Sequence, residues 1–98
     1  MENDQRYLVV DGRRWRREDP DLPTDVAAEL RSHLGRARSA IGRAGSDDVA
    51  RLRRRVSAAK HGLGERGVPW WEQDEDERRR RWQGALEVLR EDEPTPAE

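Results

Sequence analysis

Residues 23–64 read PTDVAAELRSHLGRARSAIGRAGSDDVARLRRRVSAAKHGLG, and the fold turns on this stretch. In its first half Val26, Leu30, Leu34, Ala37, Ile41 and Ala44 follow one another at steps of three or four. That spacing lines side chains along one stripe of an α-helix. Val49, Leu52, Val56, Ala59 and Leu63 repeat the pattern in the second half. Pro23 suits a first helical turn and Thr24 can cap it. Gly45 is expected to close the first helix and Ser46 to cap the second, whose positive end Asp47 and Asp48 suit. Two apolar seams joined by so short a link must lie antiparallel. The expectation is a helical hairpin over 23–64.

Upstream, Tyr7-Leu8-Val9-Val10 has strand composition and is followed by Asp11-Gly12. Asp-Gly is a two-residue turn signal, because both central positions need positive φ. A β-hairpin over 6–17 follows, with Val10 opposite Arg13, Val9 opposite Arg14, and Leu8 and Trp15 sharing one face. An isolated hairpin is marginal in water, so this one must pack on something. Residues 18–24, with Pro20 and Pro23, read as a connector. Downstream, Gly62, Gly64 and Gly67 stop the second helix, and Val68-Pro69-Trp70-Trp71 reads as an extended, Trp-rich connector. A third helix is expected over 74–92, opened by a capping box of Asp74 with Glu77 and burying Trp82, Ala85, Leu86 and Leu89. Residues 93–98 form an acidic tail that is expected to fray. The fold class is mainly α with a minor β element, one small domain over 1–92 and no internal repeat.

Leu, Ile and Val together number only 16 of 98 residues, and there is no Phe. Such aliphatic poverty signals disorder when net charge is high. Here 20 basic residues nearly cancel 21 acidic ones, so a folded but thin core is expected, with a motive to find a partner. No apolar run approaches the roughly 20 residues of a membrane helix, and the acidic start Met1-Glu2-Asn3-Asp4 is unlike a secretory signal. The expected compartment is the cytoplasm, with no membrane partner. Zero Cys excludes disulfides and thiolate chemistry.

The run Arg78-Arg79-Arg80-Arg81 directly follows Asp74-Glu75-Asp76-Glu77. On a helix each acid meets a base four residues on, in the orientation the helix dipole prefers, which gives the run a structural role. A second basic group comprises Arg13, Arg14, Arg16 and Arg17 around Trp15, with Arg51, Arg53, Arg54 and Arg55 opening the second helix. Arginine interleaved with tryptophan can hold phosphates and stack on bases. This makes nucleic-acid binding through Arg13, Arg17, Arg51, Arg53, Arg54 and Arg55 the alternative function, against which stands the net charge of −1.

Reactive groups are sparse. His33 sits at the edge of the first seam and His61 points away from the second, and neither has a third ligand of suitable spacing for zinc. Gly62-Leu63-Gly64 with Gly67 follows a helix rather than a strand, so it reads as helix termination and not as a phosphate loop. No nucleophile elbow is present. No catalytic residue, metal or cofactor is expected, and the chain reads as a non-enzyme.

Two adjacent Trp in an extended segment point to opposite sides. One would plug the core; the other is either a natural anchor for a partner or a second cover for the domain's own thin core, under the third helix. The leading expectation is a protein-interaction or scaffolding module, binding a protein partner or its own copy as a homo-oligomer. Its anchors would be Trp15, Trp70 and Trp71, oriented by Arg14, Arg16 and Arg66. The stretches Asp11-Gly12-Arg13-Arg14-Trp15-Arg16, Asp19-Pro20, Ala59-Lys60 and Gly64-Glu65-Arg66-Gly67-Val68-Pro69-Trp70-Trp71 carry a resemblance over residues 6–71. The chain resembles small proteins of high-GC Gram-positive bacteria that often bear the label "biopolymer transporter Tol". That label implies envelope transport. No membrane span, signal or propeller-type repeat accompanies it here, and the resemblance assigns no functional residues.

Overall fold

A computed structural model describes residues 6–91. Two strands, β1 (Tyr7–Val10) and β2 (Arg13–Arg16), precede three helices, α1 (Thr24–Ile41), α2 (Ser46–Leu63) and α3 (Glu75–Glu91). A single 3-10 turn, Trp70–Glu72, lies between α2 and α3. The protein is thus mainly helical with an N-terminal antiparallel hairpin.

The hairpin has the expected register, with Leu8 opposite Trp15, Val9 opposite Arg14 and Val10 opposite Arg13. Its turn residues Asp11 and Gly12 take φ of 51° and 78°. Two successive positive angles give the turn whose twist matches that of the flanking strands.

α1 and α2 pack along the two seams read from the sequence, and α3 lies mainly against α2. Val26, Leu30 and Leu34 of α1, Ala59 and Leu63 of α2, and Ala85, Leu86 and Leu89 of α3 make one core. Trp82 and Val56 pack against its margin. α2 and α3 run antiparallel: Gly62 meets Arg81 at one end and Arg55 meets Leu89 at the other. The radius of gyration, 14.6 Å, exceeds the ~13 Å of a compact chain of this length. The molecule is a slab 20 Å thick in its least dimension, about two helix diameters.

Several boundaries differ from expectation. α1 ends at Ile41, with Gly42 as its cap, and not at Gly45. Gly42 is a poor helix residue, and the N–H that follows it, that of Arg43, donates to Ala40 O at 3.0 Å. Gly45 instead precedes α2, so Ser46 is the first helical residue and makes no capping bond. Thr24 likewise begins α1 without a side-chain cap. Residues 70–72 form a 3-10 turn rather than an extended strand, because Pro69, at φ −56°, starts a tight turn. The capping box is present: Glu77 N–H donates to Asp74 Oδ1 and Asp74 N–H to Glu77 Oε1, both at 2.8 Å. The expected end of α3 at Asp92 and the acidic tail 93–98 lie outside the described residues.

Candidate functional site

The β-hairpin is held to the helices by polar and aromatic contacts rather than by a shared aliphatic core. Asp19, just past β2, is the hub. Its N–H donates to Leu63 O at 2.8 Å, and its carboxylate accepts the Asp21 N–H at 2.8 Å and Arg81 Nη2 at 2.8 Å. Arg81 spends its other donors on Gly62 O (3.2 Å) and Gln73 Oε1 (2.6 Å). Arg78 bonds Asp19, Asp21 and the Gln73 carbonyl. The expected i,i+4 ladder of 74–81 is therefore corrected for Arg78 and Arg81, which reach across to the Asp19 loop instead. Arg79 pairs with Asp76, three residues before it. A buried carboxylate without a cationic partner is far costlier than a lost surface pair, so Asp19 claims the two arginines that face it.

One face of the hairpin rests on the Trp connector. Trp71 meets Tyr7 edge-on at 5.6 Å, with the guanidinium groups of Arg6 and Arg16 at 4.8 and 5.7 Å from its ring. Arg14 lies over Tyr7 at 3.9 Å, and Arg16 Nη1 donates to Gly67 O at 2.8 Å. Trp70 is buried, and its Nε1 donates to Arg17 O at 3.0 Å. The anchor role expected for Trp70 is withdrawn on that ground. Trp71 is half-buried, while Arg66 stays exposed.

The other face of the hairpin looks over a cleft. Leu8, Val10 and Trp15 line one wall, Leu22, Ala27, Arg31 and Arg38 the α1 side, and Lys60 and Glu65 the α2 side. Its volume is about 1150 Å³, open to solvent. Trp15 is 42% exposed, with Arg13 at 4.7 Å and Lys60 Nζ at 5.7 Å from its ring. Desolvation pushes the Lys60 amine below the ordinary lysine range, and the nearby charges of Arg66 and Arg38 add to this. Desolvation also raises Glu65, against the opposing pull of Lys60. Arg31 is committed to Glu18 through two guanidinium nitrogens.

A second polar group lies in the helical core. His33, expected at the seam's edge, is almost fully buried. Its Nδ1 lies 3.2 Å from both Arg55 Nη2 and Arg36 Nη2, and its Nε2 lies 3.3 Å from Glu29 Oε2. Arginine only donates, so Nδ1 accepts and Nε2 carries the proton toward Glu29. Arg90 clasps the same carboxylate at 2.8 and 2.6 Å. Arg55 also donates to Leu89 O at 3.1 Å. These bonds tie α1, α2 and α3 together.

Against protein-family models, curated proteins and solved structures, the chain finds no match. The geometry alone bears on function. It divides the six arginines offered for nucleic-acid contact. Arg55 is buried in the helical core, Arg17 Nε is spent on Tyr7 O, and Arg13 is stacked on Trp15. Arg53 and Arg54 are exposed and Arg51 is half-buried. The six do not form one surface of free cations, and Arg55 is corrected to a structural residue. Among the described residues no helix is long and apolar enough to cross a membrane.

Proposed function

We propose that the chain is a non-enzymatic protein-interaction module that docks an extended segment along the free edge of β1, in the first instance a second copy of itself. The observation that carries this reading is where the apolar surface lies. Of the six exposed large hydrophobic side chains among the described residues, Leu8, Val9, Val10 and Trp15 all belong to the hairpin. Scattered exposed apolar residues need no explanation, but a cluster on one element does.

The backbone supports the same reading. Arg17 N–H donates to Arg6 O, so bonded pairs alternate as 6/17, 8/15 and 10/13, and Tyr7 and Val9 turn their N–H and C=O away from β2. The Tyr7 carbonyl already accepts Arg17 Nε at 3.0 Å, which leaves Val9 as the open position. The sequence of β1, Tyr7-Leu8-Val9-Val10, has no charge, Pro or Lys to discourage strand addition, whereas β2 carries Arg13, Arg14 and Arg16. Two β1 edges pairing about a two-fold axis would make a four-stranded sheet, and a sheet of three or more strands is what a lone hairpin lacks. Trp15 and Leu8 then supply side-chain contact beside the cleft.

Light scattering across a concentration series tests the proposal with two variants. Val9→Pro removes an outward N–H while sparing the hairpin's own ladder, and Trp15→Ala removes the anchor. Wild type is expected to grow in mass with concentration and each variant to stay monomeric. A wild type that stays monomeric throughout, or variants that assemble as it does, would overturn the reading.

A further inference from the structure

The opposite side of α2 carries a second surface. A groove of about 620 Å³ runs between α2 and α3, lined by Arg54, His61, Arg66 and Arg80 above a floor that includes Ala58 and Ala85. No carboxylate lines it. Five arginines elsewhere are answered by an acid: Arg31 by Glu18, Arg78 and Arg81 by Asp19, Arg79 by Asp76, Arg90 by Glu29. Those of the hairpin stack on aromatic rings or bond backbone carbonyls. In a chain of net charge −1, three exposed arginines line a groove that no carboxylate lines.

The floor is low and partly apolar. Gly84 lines it, and a Cβ added there would meet nothing within 4 Å. Val88, 56% exposed, closes one end. From Arg80 to Val88 the groove follows α3 for ~12 Å at about 1.5 Å per residue. That is too long for a lone oxyanion and fits about four residues of extended chain at ~3.3 Å each. We infer that this groove binds an acidic peptide segment, its carboxylates taken by Arg54, Arg66 and Arg80 and its small apolar side chains seated over Gly84 and Val88. A polyphosphate backbone suits the site less well. Exposed Asp47 and Asp48 on α2, and Glu75, Asp76 and Glu91 on α3, lie beyond the groove's ends and would repel a polyanion running past them.

The groove shares no lining residue with the cleft under the hairpin, although Arg16 of β2 bonds the Gly67 carbonyl at its margin. Val9→Pro, which blocks self-association, should leave peptide binding unchanged. Its test is anisotropy of a fluorescein-labelled Glu-rich peptide with interspersed Ala and Leu, titrated with the full chain at low and high salt. Binding is expected at low salt and should weaken as salt rises. Arg80→Glu and Arg54→Glu should each weaken it by about threefold to tenfold, whereas Arg43→Glu, on the exposed α1–α2 link, should not. Gly84→Leu fills the groove while improving helix propensity, so it should abolish binding in a chain that still melts cooperatively. The inference is overturned if wild type does not bind the peptide or if Gly84→Leu binds as wild type does. A loss in Arg43→Glu equal to that in Arg80→Glu overturns it too. Tighter binding of a short single-stranded DNA than of the peptide would reassign the groove to nucleic acid.

Discussion

Arg81 Nη2 lies 2.8 Å from Asp19 Oδ2, with 2% and 1% of the two side chains exposed. The pair joins the segment behind the β-hairpin to the first turns of α3, 62 positions apart. Removing one partner of a buried ion pair leaves an uncompensated charge and costs roughly 3–5 kcal/mol. A domain of this size has roughly 5–15 kcal/mol in total, so the loss is a large share of it. Asp19→Ala is therefore expected to unfold the chain or bring it to the edge of unfolding, as read by urea denaturation. Asp19→Leu combined with Arg81→Met removes both charges and should be less damaging than the two single changes added together. Strict additivity would show that the two side chains are not coupled.

The clasp of Arg90 on Glu29 gives the fold an acid-sensitive joint between α1 and α3. Hydrogen bonding from Arg90 lowers the Glu29 carboxyl from 4.5 to about 2, against the upward push of burial, with His33 adding to the lowering. A depressed folded pKa stabilises the protein above the unfolded value, and that contribution is lost as pH falls. Stability should thus decline between pH 4.5 and about 2 as this carboxylate protonates. Glu29→Gln should flatten that limb of the pH profile and lower stability at neutral pH by on the order of 1 kcal/mol, a figure reduced for the partial exposure of the pair. An unchanged acid limb in this variant would mean that other carboxylates set it.

Close approach of helices is the third testable feature. A Cβ added to Gly62 would lie 2.7 Å from Ala85 Cβ and 3.0 Å from Leu30 Cδ2. Leu30 is fully buried and Ala85 nearly so, which leaves the neighbours little room to yield. Gly62→Ala gains about 1 kcal/mol in helix propensity and loses roughly 1–3 kcal/mol to overpacking. The net expectation is a modest loss of thermal stability, in contrast to Gly35→Ala on α1, where a Cβ meets nothing and stability should rise.

These joints were only partly legible in the sequence. The two apolar seams, the Asp11-Gly12 turn and the Asp74–Glu77 capping box depend on residues within a few positions of one another, and each reads directly. Asp19 with Arg81, and His33 with Arg55, depend on how elements pack, and spacing does not reveal the partner of a long side chain. A signal was nevertheless present. Arg81 stands four residues before Ala85 and eight before Leu89 on the buried stripe of α3, and Arg55 and His33 occupy the stripes of α2 and α1. A charged or polar residue on an apolar stripe requires a partner across the core. The Trp pair differs from expectation in backbone geometry, with Trp70 the buried ring and Trp71 the half-buried one. Alternating sides hold only for extended chain, and the turn after Pro69 brings Trp70 and Trp71 into edge-on contact at 5.1 Å.

Lys60, the one lysine in the chain, offers the most direct probe of the cleft under the hairpin. Desolvation there lowers its amine pKa from 10.5, with help from the charges of Arg66 and Arg38. A lysine whose folded pKa lies below its unfolded value binds fewer protons folded than unfolded between the two values, so stability rises with pH across that interval. Lys60→Met keeps the bulk of the side chain and removes the charge. It should erase this rise on the alkaline side and leave the acid limb set by Glu29 intact. Titration of the Lys60 side-chain resonances by NMR should give a midpoint below the ordinary lysine range. A midpoint at the ordinary value would show that water reaches the amine freely and that the hairpin does not shelter the cleft.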